Sequence, residues 1–348
     1  MLNFLGNYKD DYEDYFKMDE ETTGLSVTYR AINTKNNKKC CLKIINKEKL
    51  KMQDYDYLLK RIKKEQEIQT LCNSQYTINF NRRLETEENI IFELEYYDKN
   101  LYNYFKNIGE LKYKLKLFKN ILVSTAKALK ILNDKGFIHR DIKPHNIFIT
   151  EKDNENIIIK LGNFGCAIKI DEIDSASSGT ILYNAPEKTQ DLDYDEKIDL
   201  WSLGVTLFEL YFGFLPYGPK ADMNAMLNAI YDEKNFVFPK TFKKNENPKI
   251  PTLDILFKRL LTINPEERMT HKEFFNYVFS DDFMKEGVIC VNNNQKYKQI
   301  YDKILKEKFV EFKLDEIKES LNPKEIEKNK FFFIFFLTII SLYMNPEE

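Results

Sequence analysis

Apolar positions along the chain switch between a period of two and a period near 3.6. VTYRAIN (27–33) and CCLKIIN (40–46) are β-like runs on either side of the polar turn TKNNKK, which predicts an antiparallel hairpin. Leu58, Leu59, Ile62, Ile68 and Leu71 recur at helical spacing over 54–72, so one helix follows. NIIFELEYY (89–97) reads as an apolar strand entering a polar link. From about residue 99 the pattern becomes mainly helical. A long amphipathic helix is predicted over 115–136, with Gly136 as its C-terminal cap. Two short β-like pieces follow at 146–150 and 157–162. The stretch IDLWSLGVTLFELYFG (198–213) is apolar nearly all round, which predicts a buried central helix. Residues 257–276 read as two helices broken at Pro265. The fold class expected is α+β: a small β-rich lobe with one helix, then a larger, mainly helical lobe.

The ends look different. Residues 1–14 are acidic and tyrosine-rich, which predicts a solvated leader and not a signal peptide. Residues 280–330 are charged and read as a helical extension or linker. Residues 331–344, FFFIFFLTIISLYM, carry no charge. Fourteen residues fall short of the roughly 20 that a comfortable helical span needs. The segment therefore anchors the tail at a membrane or docks on the protein as a helix or strand.

Composition narrows the picture. With 348 residues, 43% apolar, the chain is long enough for a large two-lobed core. A net charge of -2 with interspersed signs gives no basic field, so nucleic acid is not expected as a partner. Five cysteines without metal spacing point to a reducing compartment, and a cytoplasmic location is expected, tail-anchored if residues 331–344 insert.

The chemistry concentrates in HRDIKPHN (139–146). A carboxylate, Asp141, is followed two residues on by a cation, Lys143, and five residues on by an amide, Asn146. That order suits accepting a hydroxyl proton, neutralising a migrating phosphoryl group and binding a metal. The segment resembles the catalytic loop of eukaryotic protein kinases, and its Lys is the Ser/Thr-type form. The resemblance implies a bilobal kinase domain over 15–279, with lobes at 15–97 and 98–279. It also implies ATP and Mg²⁺ as cofactors, with Mn²⁺ as an alternative, and a protein substrate.

Other positions match in order. GTILYNAPE (179–187) resembles the end of the activation segment, with Thr180 orienting the catalytic Asp. Asp199 in DLWSLG resembles the residue that braces the catalytic loop, and Arg268 the one that pairs with Glu187. CCLK (40–43) places Lys43 at the phosphate-contacting position. Its helix partner is read as Glu67, with Leu71 packing on the metal-site phenylalanine; Glu65 is the alternative and would put Gln69 there. FELEYY resembles the hinge, with Leu94 as gatekeeper and the backbones of Glu95 and Tyr97 bonding adenine. The resemblance also lets Arg140 hold a phosphate on the activation segment, with Ser175, Ser177 and Ser178 as acceptors.

Two elements depart from the family. The three glycine positions of the phosphate loop hold Glu21, Thr23 and Ser26, with Gly24 nearby. The metal-binding D-F-G reads Asn163-Phe164-Gly165, so the metal pair would be Asn146 and Asn163. Asn keeps an oxygen but loses the charge a hard dication prefers. That loss costs several kcal/mol of transition-state stabilisation, roughly three decades in rate. Two readings stay open: a Ser/Thr kinase with impaired metal binding, or a pseudokinase that scaffolds or regulates a partner kinase. Substrate identity and oligomeric state are not encoded in any recognisable motif.

Overall fold

The computed structural model describes residues 3–20, 25–106, 115–152, 156–173, 178–190, 192–213, 215–217, 228, 230, 231 and 253–280. The chain divides into two units, residues 1–290 and 291–348, and every described residue belongs to the first. The sequence expectations for Glu21, Thr23, Gly24, Ser175, Ser177 and residues 281–344 lie outside the described residues.

The first lobe is a five-stranded antiparallel sheet in the order β1-β2-β3-β5-β4. Its strands are β1 (Tyr12–Glu20), β2 (Ser26–Asn33), β3 (Lys38–Asn46), β4 (Phe80–Glu85) and β5 (Asn89–Glu95). β2 and β3 form the expected hairpin, paired from Ser26↔Ile45 to Asn33↔Lys38. A short α1 (Lys47–Lys51) leads to α2 (Tyr55–Leu71), whose first turn is capped by the Asp54 side chain.

β3 explains the layering. Residues 40–45 are all buried, so this strand is covered on both faces. Cys41 and Ile45 pack with Ile62 of α2, Phe92 and Leu94. The alternate residues Cys40, Leu42 and Ile44 pack with Ala31, Leu84 and Ile91, and with Leu5 and Tyr12 from the N-terminus. This corrects the solvated leader expected over 1–14. Asn3–Asp11 forms 3-10 turns laid on the outer face of the sheet, with Leu5 fully buried. Phe4 stacks on Tyr29 at 4.8 Å, and Asn89 Nδ2 donates to the Phe4 carbonyl at 3.1 Å. The tyrosines that look like solvated polar residues serve as apolar cover. Tyr12 also gives its hydroxyl hydrogen to Glu93, which Arg82 and Asn33 bond as well.

The second lobe begins with β6 (Lys99–Asn100) and α3 (Leu101–Lys106). α4 (Leu115–Asp134) is the long amphipathic helix, and Gly136 follows it at φ 73°. β7 (Phe137–Ile138), β8 (Ile147–Glu151), β9 (Ile157–Leu161) and β10 (Ile168–Lys169) form two small sheets, β6-β8-β9 and β7-β10. After α5 (Pro186–Thr189), α6 (Lys197–Phe212) runs through the centre, buried at nearly every position as its composition requires. α7 (Leu253–Leu260) and α8 (His271–Val278) flank the break at Pro265, and Thr270 and Glu273 form a capping box on α8. The fold is the bilobal α+β arrangement expected. Among the described residues no helix is long and apolar enough to cross a membrane.

Because Leu5 is part of the sheet's outer core, Leu5→Ala is expected to cost about 2–4 kcal/mol. A urea melt reads this as a lower midpoint with an unchanged slope; a midpoint equal to wild type means the segment does not contribute to the core.

Candidate active site

The loop after β7 is held by one carboxylate. Asp199, on the first turn of α6 and 2% exposed, accepts the backbone N–H of His139 at 2.7 Å and of Arg140 at 2.8 Å. Arg140 is thereby kept at φ 67°, a region costly for a residue with a Cβ. His139 is fully buried and bridges to the Gly162 carbonyl at 3.1 Å, and burial lowers its pKa, so the ring stays neutral.

This backbone aims Asp141 at a polar cluster. Thr180 Oγ1 donates to Asp141 Oδ1 at 2.8 Å, Lys143 Nζ lies 3.0 Å from Oδ2, and Lys143 also donates to Thr180 at 2.5 Å. Asn146 Nδ2 donates to the Asp141 carbonyl at 2.6 Å and to its Oδ2 at 2.8 Å. Asn163 Nδ2 donates in turn to Asn146 Oδ1 at 2.9 Å. Thr180 reaches Asp141 because Gly179 packs flat on the loop: a Cβ there would meet the Arg140 carbonyl at 2.4 Å. The sequence expectation brings Asp141, Lys143, Asn146, Asn163 and Thr180 to one place, and the structure shows them in contact.

Lys43 projects from β3 toward α2 and pairs with Glu65 at 2.8 Å, both groups buried. Glu67 is therefore not the partner, which corrects the expectation. Two residues along a helix turn about 200°, so Glu65 and Glu67 face opposite ways. Glu65 shares its face with buried Ile62 and Ile68; Glu67 is exposed, and so is Leu71 at 48%. Phe164 packs instead against Ile68, Cys72, Leu132 and Phe137. Gln69 is buried and donates to the Ile78 carbonyl at 3.0 Å.

At the hinge, Glu95 donates its N–H to the Asn79 carbonyl at 2.9 Å, and its carboxylate pairs with Lys160 at 2.6 Å. Leu94, the expected gatekeeper, and Tyr97 of the hinge are both buried. Cys41, Leu94, Tyr97 and Phe148 belong to one buried cluster, and the Tyr97 and Phe148 rings lie 4.2 Å apart. Phe148 fits because residue 162 is glycine: a Cβ there would meet Phe148 Cε2 at 2.9 Å. Reading the sequence missed this pairing of Phe148 with Gly162, although both positions border motifs it identified.

At the end of the activation segment Arg268 and Glu187 form the expected buried pair. Arg268 Nη1 and Nη2 meet the two Glu187 oxygens at 2.6 and 2.9 Å. Its Nε donates to the Thr262 carbonyl and the guanidinium lies 5.0 Å over Trp201, so the buried charge is satisfied. Arg140 sends Nε to the Cys166 carbonyl at 2.7 Å and Nη1 to Tyr194 at 3.0 Å. Ser178 Oγ is buried without a hydrogen-bond partner among the described residues. Lys188 was not singled out in the sequence. It is buried, donates to the Arg140 carbonyl at 3.0 Å, and has its pKa pushed down to about 8 by burial and then by the Arg140 charge.

The family resemblance puts a divalent cation between residues 146 and 163. The donor set does not fit that ion well. Both positions are neutral amides, whereas hard dications prefer carboxylate. The acceptor oxygen of Asn146 also accepts an N–H of Asn163, on the side where the ion would sit.

Comparison with known proteins agrees with this geometry. A family profile described as protein kinase domain matches residues 23–280. Serine/threonine-protein kinase ATG1a of Arabidopsis thaliana is 31% identical over 257 residues, covering 73% of this chain and 39% of the relative. Serine/threonine-protein kinase ULK3 of Xenopus laevis is 34% identical over 163 residues, covering 46% of this chain and 33% of the relative. CBL-interacting serine/threonine-protein kinase 12 of Arabidopsis thaliana is 29% identical over 265 residues, covering 74% of this chain and 50% of the relative. The chain thus spans half or less of the length of each of these relatives. Protein kinase domains generally use ATP with a divalent metal ion.

Two outcomes follow from the geometry. Glu65→Gln removes the buried carboxylate that pairs with Lys43 and is expected to cost about 3 kcal/mol, whereas Glu67→Gln stays within about 0.5 kcal/mol. Denaturant melts of the two variants decide the pairing, and equal effects would refute it. Lys188 has a folded value near 8 against an ordinary 10.5, so between these values the unfolded chain holds more protons. Wild-type stability should therefore rise with pH from about 8 to 10.5 relative to Lys188→Met, by on the order of 2–3 kcal/mol. Parallel curves for the two proteins would show that Lys188 titrates normally.

Proposed function

The chain belongs to the protein kinase family, of the Ser/Thr type, and from that premise we propose that it transfers the γ-phosphoryl group of ATP to a Ser or Thr hydroxyl of a protein. The observation that supports this most is the state of Asp141, buried and oriented by Thr180 while Lys143 stands 3.0 Å away. The substrate oxygen forms the new bond to phosphorus and gives its proton to Asp141. The bond from phosphorus to the β–γ bridging oxygen breaks, and ADP leaves with that electron pair. Lys143 neutralises charge on the moving group. Lys43, held by Glu65, contacts the α- and β-phosphates. Asn163 leaves this site short of negative charge, so turnover is slow. Phosphorylation at Ser175, Ser177 or Ser178, with Arg140 as the group that would hold the phosphate, is the regulatory companion of this reading.

A second reading has its own support. Leu94 and Tyr97, at the gatekeeper and hinge positions, pack in one buried cluster with Cys41 and Phe148, and the Tyr97 and Phe148 rings lie 4.2 Å apart. A kinase-shaped module that binds and regulates a partner kinase needs no adenine between these positions.

Phosphotransfer to a generic protein substrate, run with Mg²⁺ and with Mn²⁺, separates the two. Wild type is expected to exceed Asp141→Asn, and Asn163→Asp to exceed wild type by up to roughly three decades. Wild type no faster than Asp141→Asn, together with no change in melting temperature on adding ATP and metal, would favour the binding module.

A further inference from the structure

Asn146 has one acceptor oxygen and one donor nitrogen. Its nitrogen faces Asp141, bonding the carbonyl at 2.6 Å and Oδ2 at 2.8 Å. Neither oxygen can donate, so the amide orientation of Asn146 is set and its Oδ1 must turn toward residue 163. Whatever stands there has to be a donor or a cation. Two oxygens facing each other at 2.9 Å, as Asp would place them, need a positive charge between them. Asn163 supplies an N–H at that distance instead.

The backbone does not distinguish the two residues. Residue 163 sits at φ 62°, ψ 73°, a left-handed conformation that Asn and Asp tolerate better than other residues with a Cβ. The difference between them is therefore confined to the side chain. Asn163 Oδ1 also points to the side of Gly165 that faces Glu65: a Cβ at 165 would lie 3.6 Å from Asn163 Oδ1 and 3.4 Å from Glu65 Oε2. A carboxylate at 163 would thus add a third negative group between Asp141 and Glu65.

We infer that Asn163 is a positioning residue whose amide replaces the bridging cation, so that the catalytic loop and the N-F-G turn stay in register without a divalent metal. The hydrogen-bond relay runs Asn163 to Asn146 to Asp141. It extends the backbone link in which Gly162 N–H donates to the Asn146 carbonyl at 2.9 Å, just past the pairing of Ile147 with Leu161. Turnover is not required for this role. Phosphotransfer can be absent while the relay stands, and the relay can fail while phosphotransfer persists.

The test is the melting temperature of the full chain without nucleotide, in excess Mg²⁺ and in EDTA, for wild type, Asn163→Asp and Asn163→Gly. Wild type should melt within about 1 °C under both conditions. Asn163→Asp should melt about 3–6 °C lower in EDTA and recover at least half of that in Mg²⁺. Asn163→Gly keeps the left-handed backbone but lacks the amide, so it should melt lower under both conditions with no recovery. Rescue by the ion of Asn163→Asp but not of Asn163→Gly is a signature that a purely structural role does not produce. Three results overturn the inference: wild type stabilised by Mg²⁺ as much as Asn163→Asp is, Asn163→Asp unaffected in EDTA, or Asn163→Gly melting with wild type.

Discussion

The two backbone hydrogen bonds accepted by Asp199 carry the catalytic loop. Without them Arg140 would relax from its left-handed conformation, and the chain would leave residue 141 on a different heading. The carboxylate can do this because α6 is the most buried helix described, so its first turn is fixed by packing rather than by its own propensity. Lys188 holds the next peptide of the loop through the Arg140 carbonyl. Gly179 then lets the activation-segment end lie directly on that peptide, which brings Thr180 to Asp141. The arrangement is a stack: core helix, strained loop, glycine contact, oriented carboxylate. Arg268 and Glu187 secure the layer above it to the lobe.

Charge is distributed unevenly over the site. Cations stand near the transfer position, with Lys143 against Asp141 and Lys43 against Glu65. The place where kinases collect negative charge for a metal is occupied by two amides that bond each other. Stability and catalysis pull in opposite directions here. A mutually satisfied amide pair avoids the repulsion that clustered carboxylates would create. It also removes the field that would bind a dication.

The first lobe shows a related economy of cover. A strand buried on both faces demands two layers, and α2 supplies one. The N-terminal residues supply the other, with Leu5 and Phe4 against β2 and β3 and Tyr12 tied to Glu93. Position of the Lys43 backbone, and through it the pair with Glu65, rests on that sandwich.

Much of this was legible in the chain. The hairpin, α2, α4, α6 and the break at Pro265 follow from local period, caps and turn residues, which act over a few positions. Asp141, Lys143, Asn146 and Asn163 were legible because their roles sit in short segments of fixed spacing. Contacts between distant elements were not. The choice of Glu65 over Glu67 depends on how α2 is rotated against the sheet, and both carry the same carboxylate; buried Ile62 and Ile68 on one face were the available signal. The N-terminal cover was misread because tyrosine-rich, acidic residues suit water as well as a sheet face, and only β3's uninterrupted run hinted that a second layer was needed. The sequence by itself determined which residues belong to the metal position and that Asn stands there. Tertiary structure decided that its N–H points into Asn146, because that direction follows from Asp141 fixing the neighbouring amide across the fold, and no local pattern encodes it.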